Sequence, residues 1–222
     1  MENTKPQCAT CRIEEKICRS PNGQGPAFCP TLYRKELVRK ANKEYTKSDV
    51  LHFAHKASDK RTERYVKTEA KPPVNPLKKT RVQETCEFAQ RMGYKKLGIA
   101  FCSAVHQETS CLSQILEAQG FEVVSVVCKT GRTPKEYIGI DTEQEAQKSM
   151  CSPIAQAMIL NEEKTDFNIL VGLCVGHDSL FLKYSNAYCT VLVAKDQALN
   201  HNPVAALCPT SLHYNRLLKK GL

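Results

Sequence analysis

The stretch YKKLGIAFCSAVHQETSCLSQILEAQGFEVVSVVC, residues 94–128, decides the fold. KKLGIAFC and FEVVSVVC are apolar runs of strand length, and SCLSQILEAQ between them has helical spacing and stops at Gly120. Strand, helix, strand in that order makes a parallel pair with a crossover, and near-continuous apolar strands belong to a sheet covered on both faces. The rhythm continues downstream. CSPIAQAMILN reads as a helix, DFNILVGLC as a strand, HDSLFLKY as a short helix and YCTVLVAKD as a strand, with HNPVAAL and TSLHYNRLLKK as closing helical pieces. The expected fold class is α/β, a Rossmann-like parallel sheet of about four strands flanked by helices. An N-terminal cysteine-rich metal module and a helical arm precede it.

Working outward toward the N-terminus, a third helix is expected from Thr80 to Met92, ending at Gly93 as C-cap. Residues 67–80, KTEAKPPVNPLKKT, read as a linker or an extended strap. A helix begins at Ser48, and an earlier one spaces Leu32, Tyr33, Leu37, Val38 and Ala41 on one face with Thr31 as its cap. The expected division is a Cys-rich metal module with the first helix (1–45), a basic helix and Pro-rich linker (46–85), and an α/β domain with a second cysteine site (86–222).

The chain has 222 residues, 12 of them cysteines, and a net charge of +9. MENTKPQCATC carries no apolar core of a signal peptide, so a cytoplasmic protein is expected. No stretch approaches the roughly 20 apolar residues of a membrane span, so no membrane partner is expected. Cytosolic thiols are kept reduced, and cysteines in this number therefore point to metal or redox chemistry rather than to disulfides. The whole charge excess falls in residues 1–85, with 19 Lys and Arg against 10 Asp and Glu; residues 86–222 carry 13 of each. A solvated helical surface accounts for it, with a contact face for an acidic partner protein or a nucleic acid as the alternative. The aromatic content of 7% without Trp argues against stacking surfaces for nucleic acid.

Two groups of cysteines carry the chemistry. CATCRIEEKICRSPNGQGPAFCP holds Cys8, Cys11, Cys18 and Cys29 in the spacing C-x2-C-x6-C-x10-C. Four thiolates in so short a span suit a tetrahedral zinc site or a [4Fe–4S] cluster, and the Cys-Pro ending leans toward iron–sulfur. The second group is Cys102, Cys128 and Cys174 at the carboxyl ends of expected strands, with Cys151 opening a helix whose dipole would favour its thiolate. Ligands of open parallel sheets bind at that edge, so the four can converge on a second cofactor. Buried packing cysteines are the bland alternative. His177, Asp178 and Lys195 lie at the same edge and are the candidate catalytic residues, with Asp196, His201 and Asn202 nearby. An N-cap is the simpler role for Asp178. Cys86, Cys111, Cys189 and Cys208 read as packing residues. His52 and His55 stand at metal-binding spacing without further ligands in sequence.

The motifs CATC…C…CP, KLGIAFC (96–102), SVVCKTG (125–131), CSPIAQAMILN (151–161), NILVGLCVGHDSLF (168–181) and VLVAKDQALNHNPVAAL (191–207) span nearly the whole chain. With them the chain resembles the uncharacterised, predicted metal-binding protein family of anaerobic bacteria and archaea, which pairs an N-terminal cysteine cluster with an α/β domain. The resemblance implies a metal role for Cys8, Cys11, Cys18 and Cys29 and functional weight for Cys102, Cys128, Cys151 and Cys174. It brings no established reaction.

The expected function is a metal-binding protein with two sites, each suited to an iron–sulfur cluster, [4Fe–4S] by preference, in anaerobic redox, electron-transfer or sulfur chemistry. Its partner would be a redox protein or a small-molecule substrate. The alternative is a zinc-stabilised, non-enzymatic binding module or a metal or redox sensor. A dinucleotide enzyme is weaker: no G-x-G-x-x-G comes after the first strand, where FCSAVHQETS stands instead.

Overall fold

The computed structural model describes residues 5–58, 79–141 and 149–219. The chain divides into two compact units, Met1–Glu63 and Arg64–Leu222. The stretch 59–78, with most of the expected linker, and residues 142–148 lie outside the described residues.

In the first unit a 3-10 turn spans Cys8–Thr10, ahead of helices α1 (Pro30–Tyr33), α2 (Lys35–Glu44) and α3 (Ser48–Ser58). The apolar spacing predicts one helix from Thr31, but the backbone breaks at Arg34 (φ −123°, ψ 34°) and the cap position of α1 is Cys29, ahead of Pro30. Proline at the first helical position has no N–H to leave unsatisfied, so the helix starts there rather than at Thr31. Of the described residues of this unit only Cys29 is buried. The apolar face of α2 faces water, with Leu37 63% exposed.

The second unit opens with helix α4 (Arg81–Met92). Thr80 caps it by accepting from the Gln83 N–H, and Gly93 ends it at φ 73°. Strand β1 (Lys96–Phe101), helix α5 (His106–Ala118), strand β2 (Glu122–Val127), helix α6 (Pro153–Glu162), strand β3 (Phe167–Val171), helix α7 (His177–Tyr184), strand β4 (Tyr188–Val193) and helix α8 (Leu212–Leu217) complete it. The four strands form one parallel sheet in the order β2-β1-β3-β4. Right-handed crossovers put α5 on one face and α6 with α7 on the other. Arg81 ties α4 to the edge strand, donating to Val191 O (3.1 Å) and Thr190 Oγ1 (2.8 Å).

Every residue of β3 is buried, and Leu97, Ile99, Ile169 and Leu170 are wholly inaccessible. Each such side chain stabilises the fold by about 1.5–3 kcal/mol relative to exposure. Gly98 faces α6: a Cβ there would run into Asn168 Oδ1 and Leu160. The absent side chain is what lets the helix approach the sheet so closely.

Between Leu170 and Val171 the β3–β4 register shifts, so that Val171 pairs with Val193. Leu192 is the extra residue of a bulge. A bulge turns the residues beyond it by one position, and Lys195 lies three residues beyond this one.

Candidate functional site: a lysine among four thiols

The chain leaves β1 toward β2 on one side and returns past β1 to β3 on the other. Connections that diverge in this way open a crevice at the carboxyl edge between β1 and β3. Cys102 ends β1, Cys128 ends β2, and Cys174 lies beyond β3 and Gly172, whose φ of 64° turns the chain beside Val105. The Cys102 N–H donates to Val171 O (3.0 Å), and the Cys128 N–H donates to Phe101 O (2.8 Å). Cys151 is drawn to the same edge because the Ser152 N–H donates to Cys128 O (2.8 Å) and Lys129 Nζ to Ser149 O (2.6 Å).

Lys195 Nζ donates to Cys102 Sγ (3.2 Å) and Cys174 Sγ (3.5 Å). Cys128 is close enough to Cys102 and Cys151 to act on the ionisation of both, and its Sγ donates to Ser103 Oγ (3.9 Å). The four sequence-predicted cysteines therefore share one sheet edge, with the Lys195 ammonium against Cys102 and Cys174 and the Lys129 ammonium toward Cys151.

That arrangement divides the thiols electrically. Burial opposes ionisation of Cys102, but the Ala104 backbone N–H, the Lys195 ammonium and Cys128 outweigh it and hold this thiol below its ordinary range. Cys151 goes the other way: burial, then Cys128, push it up to about 11. This corrects the expectation that a helix dipole favours its thiolate. Helix α6 begins at Pro153 with Ser152 as cap residue, so Cys151 precedes the helix rather than occupying its first turn. Lys195 is half-buried, which opposes its charge, yet the two sulfurs raise its affinity for the proton.

Of the three candidate catalytic residues only Lys195 joins the thiols. His177 and Asp178 open α7 with their backbone N–H groups donating to Cys174 O (2.9 and 3.0 Å). Among the described residues no hydrogen bond ties either side chain to a core cysteine. Asp178 is not the cap, which is Gly176; its carboxylate accepts from the Ser179 N–H (2.7 Å). Asp196 and His201 close a local loop, with the Asp196 N–H donating to His201 Nδ1 (3.2 Å).

Gln156 on α6 joins the site although the motifs do not point to it. It is fully buried and donates Nε2 to Phe101 O (3.2 Å) and Val126 O (2.7 Å), joining the ends of β1 and β2 beneath Cys102 and Cys128. The sequence does carry a signal for it, since it is the one polar residue in the apolar run PIAQAMIL.

In the first unit Cys8, Cys11, Cys18 and Cys29 all line one cavity of about 160 Å³, beside Lys16 and Arg19. The Ile17 N–H donates to Gln24 O (3.0 Å), folding the loop that carries Cys18 back on itself. Cys8 and Cys18 are exposed, Cys11 is half-buried and Cys29 is buried. Four soft thiol donors around one cavity fit zinc or an iron–sulfur cluster by chemistry. By distance, no three His, Cys, Asp or Glu side chains among the described residues stand in the close group that holds a metal ion. His52 and His55 are both exposed.

The remaining cysteines divide. Cys86 is buried and Cys189 half-buried, as packing residues should be, but Cys111 and Cys208 are exposed. Cys111 lies on the outer side of α5 and lines an open groove of about 560 Å³ between α4 and α5, because the helical stripe facing the sheet is taken by Leu112 and Leu116.

Among the described residues no helix is long and apolar enough to cross a membrane. No solved structure matches the chain. A relative from Methanocaldococcus jannaschii, described as uncharacterized protein MJ0455, is 40% identical over 187 residues, covering 84% of this chain and 90% of the relative. The family profile described as protein of unknown function (DUF1847) matches residues 29–192, a span that takes in Cys29 and all four core cysteines, and the chain belongs to that family.

Proposed function

We propose that the chain is a metal-binding protein of anaerobic redox, electron-transfer or sulfur chemistry, with iron–sulfur sites at the N-terminal cysteines and at the core cysteines of the sheet edge. The observation that carries this reading is that two sets of four thiols, each assembled from separated positions, surround one cavity in the first unit and share one sheet edge in the second. Thiolates are the ligands of such clusters, and a bound cluster would supply one-electron transfer at either place.

The protein's own contribution is electrostatic. Lys195 places a positive charge against Cys102 and Cys174 and offsets the charge that several thiolates would gather there. Charge and hydrogen bonds to sulfur set the potential of an iron–sulfur centre, so Lys195 favours the reduced state. Burial of Cys102 and Cys128 keeps bulk water from the sulfurs.

A second reading has its own support. The first unit buries only Cys29 among its described residues, and a unit so poor in core is the kind that a structural zinc folds. Iron, zinc and acid-labile sulfide content of anaerobically purified protein, with its visible spectrum, separates the two. About eight iron and eight sulfide per chain is expected for two cubane clusters. About one zinc and no sulfide would leave a structural N-terminal site alone. Neither metal nor sulfide in the isolated protein would end both readings.

A further inference from the structure

We propose that the outer face of α2 is a docking surface for a small acidic electron-carrier protein. The inference rests on the metal reading of the N-terminal thiols and names the partner of that site. Helix α2 runs from Lys35 to Glu44 with Tyr45 as its cap residue. At about 100° per residue, Leu37, Val38, Ala41 and Tyr45 share an arc of about 100°. All four are exposed. A helix that packs on its own protein turns such a stripe inward, whereas a helix that fills a partner's groove presents it to water until the partner arrives.

Charge assigns the partner's chemistry. On the same wheel Lys35 borders the stripe beside Val38, and Lys40 borders it beside Leu37. The carboxylates of α2 are engaged elsewhere: Glu36 pairs with Arg39 (2.6 Å) and Glu44 pairs with Lys47. Among the described residues no ion pair or hydrogen bond holds the side chain of Lys35 or Lys40. Residues 5–58 as a whole carry eleven Lys and Arg against five Asp and Glu. An apolar stripe bordered by cations complements a surface that is apolar at its centre and lined by carboxylates.

Position on the chain says which acidic protein. Cys29 lines the cavity with Cys8, Cys11 and Cys18 and is the cap residue of α1, where its carbonyl accepts from the Leu32 and Tyr33 N–H groups (3.1 Å each). The Arg34 N–H donates to Pro30 O (2.9 Å) and the Val38 N–H to Arg34 O (3.0 Å), so α2 is joined to the cavity wall through hydrogen-bonded backbone. From Cys29 to Lys35 the chain can span at most roughly 20 Å. A protein seated on α2 is held beside the thiols, which is the placement a one-electron carrier requires. Two other anionic occupants fit less well. A nucleic acid presents phosphates in series, and Glu36 and Glu44 among the basic residues oppose it. A lipid surface needs apolar burial that four residues, one of them alanine, supply poorly.

The test uses the full chain, purified anaerobically, with an acidic two-cluster ferredoxin as probe and a basic cytochrome c as the reversed-charge control. Calorimetry reads the binding, and a carbodiimide, which joins lysine amines to carboxylates, marks the contact for peptide mass mapping. The expected result is binding of the ferredoxin and not of the cytochrome, with linkages at Lys35 and Lys40. Affinity should fall about tenfold or more between roughly 0.1 M and 1 M salt, as screening shortens from about 10 Å to about 3 Å. Lys35→Glu combined with Lys40→Glu should weaken binding by about tenfold or more, and Leu37→Ser by a similar factor. All three positions are exposed, and the wild-type linkage map stands even where a variant does not fold. No binding of the ferredoxin, linkages confined to other lysines, or unchanged affinity in either folded variant would overturn the proposal. So would tighter binding to phosphatidylglycerol vesicles or to duplex DNA, or a dimer of the chain that Leu37→Ser disperses. Metal content of the same samples keeps the two readings apart. A metal-loaded chain that ignores the ferredoxin overturns the docking surface alone, and a metal-free chain that binds it through α2 overturns the metal reading alone.

Discussion

Each unit gathers one group of four cysteines, and the two groups are held in opposite ways. In the first, the described residues bury one side chain, Cys29, and helices α2 and α3 bury none. In the second, the thiols stand on a sheet whose central strand β3 is buried at every position. A thiol group on a formed core is positioned by the fold, whereas one without a core must itself hold the fold, through whatever it binds. If the N-terminal thiols bind metal, as proposed, a group of four cysteines would be structural in one place, and a group of the same size available for chemistry in the other.

The harshest test of this contrast is to remove the ligand or one of its donors. Structural metal in small cysteine modules contributes on the order of 10 kcal/mol of folding energy. Chelation, or Cys11→Ser, should bring amide exchange in residues 5–58 to nearly unprotected rates while β1 and β3 keep their protection. Cys174→Ser should empty the core site and leave both patterns unchanged. If Cys11→Ser protein keeps its N-terminal protection, the first unit has a source of stability other than its thiols, and the comparison fails.

The converse perturbation acts on the core. Leu170→Ala removes a wholly buried side chain and should cost about 2–5 kcal/mol. Urea denaturation tracked by near-ultraviolet signals of the second unit measures it, and metal content at the N-terminal site should not change. Gly98→Ala is a smaller insult, since one methyl group must push against Asn168 and Leu160. About 1–3 kcal/mol is expected from overpacking. A neutral result would mean that α6 can move off the sheet, and with it Gln156 and the segment carrying Cys151.

What can be read in the sequence divides along the same line. The parallel sheet is legible because β1 and β3 are unbroken apolar runs, and because Gly93 and Gly120 end helices by rules that depend only on neighbouring residues. The convergence of Cys102, Cys128 and Cys174 is legible too, since a parallel sheet delivers all its strand ends to one edge. Features that depend on contacts between elements are not. The β4 bulge at Leu192 leaves no mark on composition, yet it governs where Lys195 is delivered. The break at Arg34 and the exposed apolar face of α2 escape prediction because periodicity implies a buried stripe wherever it occurs, and nothing among the described residues of the first unit buries this one. The acidity of Cys151 is overestimated from sequence because helical spacing extends two residues ahead of the proline where the helix begins.

The finest test concerns the thiols inside the second unit. Cys102 is held below its ordinary range and Cys151 is pushed up to about 11. Alkylation proceeds through the thiolate, so the labelled fraction of each tracks its own ionisation. In metal-free protein Cys102 should label at lower pH than Cys151, which should stay protected until the pH nears 11. A lowered thiol pKa gives up the proton at milder pH, and a raised one retains it through the neutral range, which fixes the order of labelling. Lys195→Met should move Cys102 labelling upward in pH and barely affect Cys151, whose shift comes first from burial and then from Cys128. Equal profiles for the two cysteines in the wild-type chain would mean that the ammonium does not divide the group. The sheet edge would then gather its thiols without differentiating them, and a formed core would confer position but not reactivity.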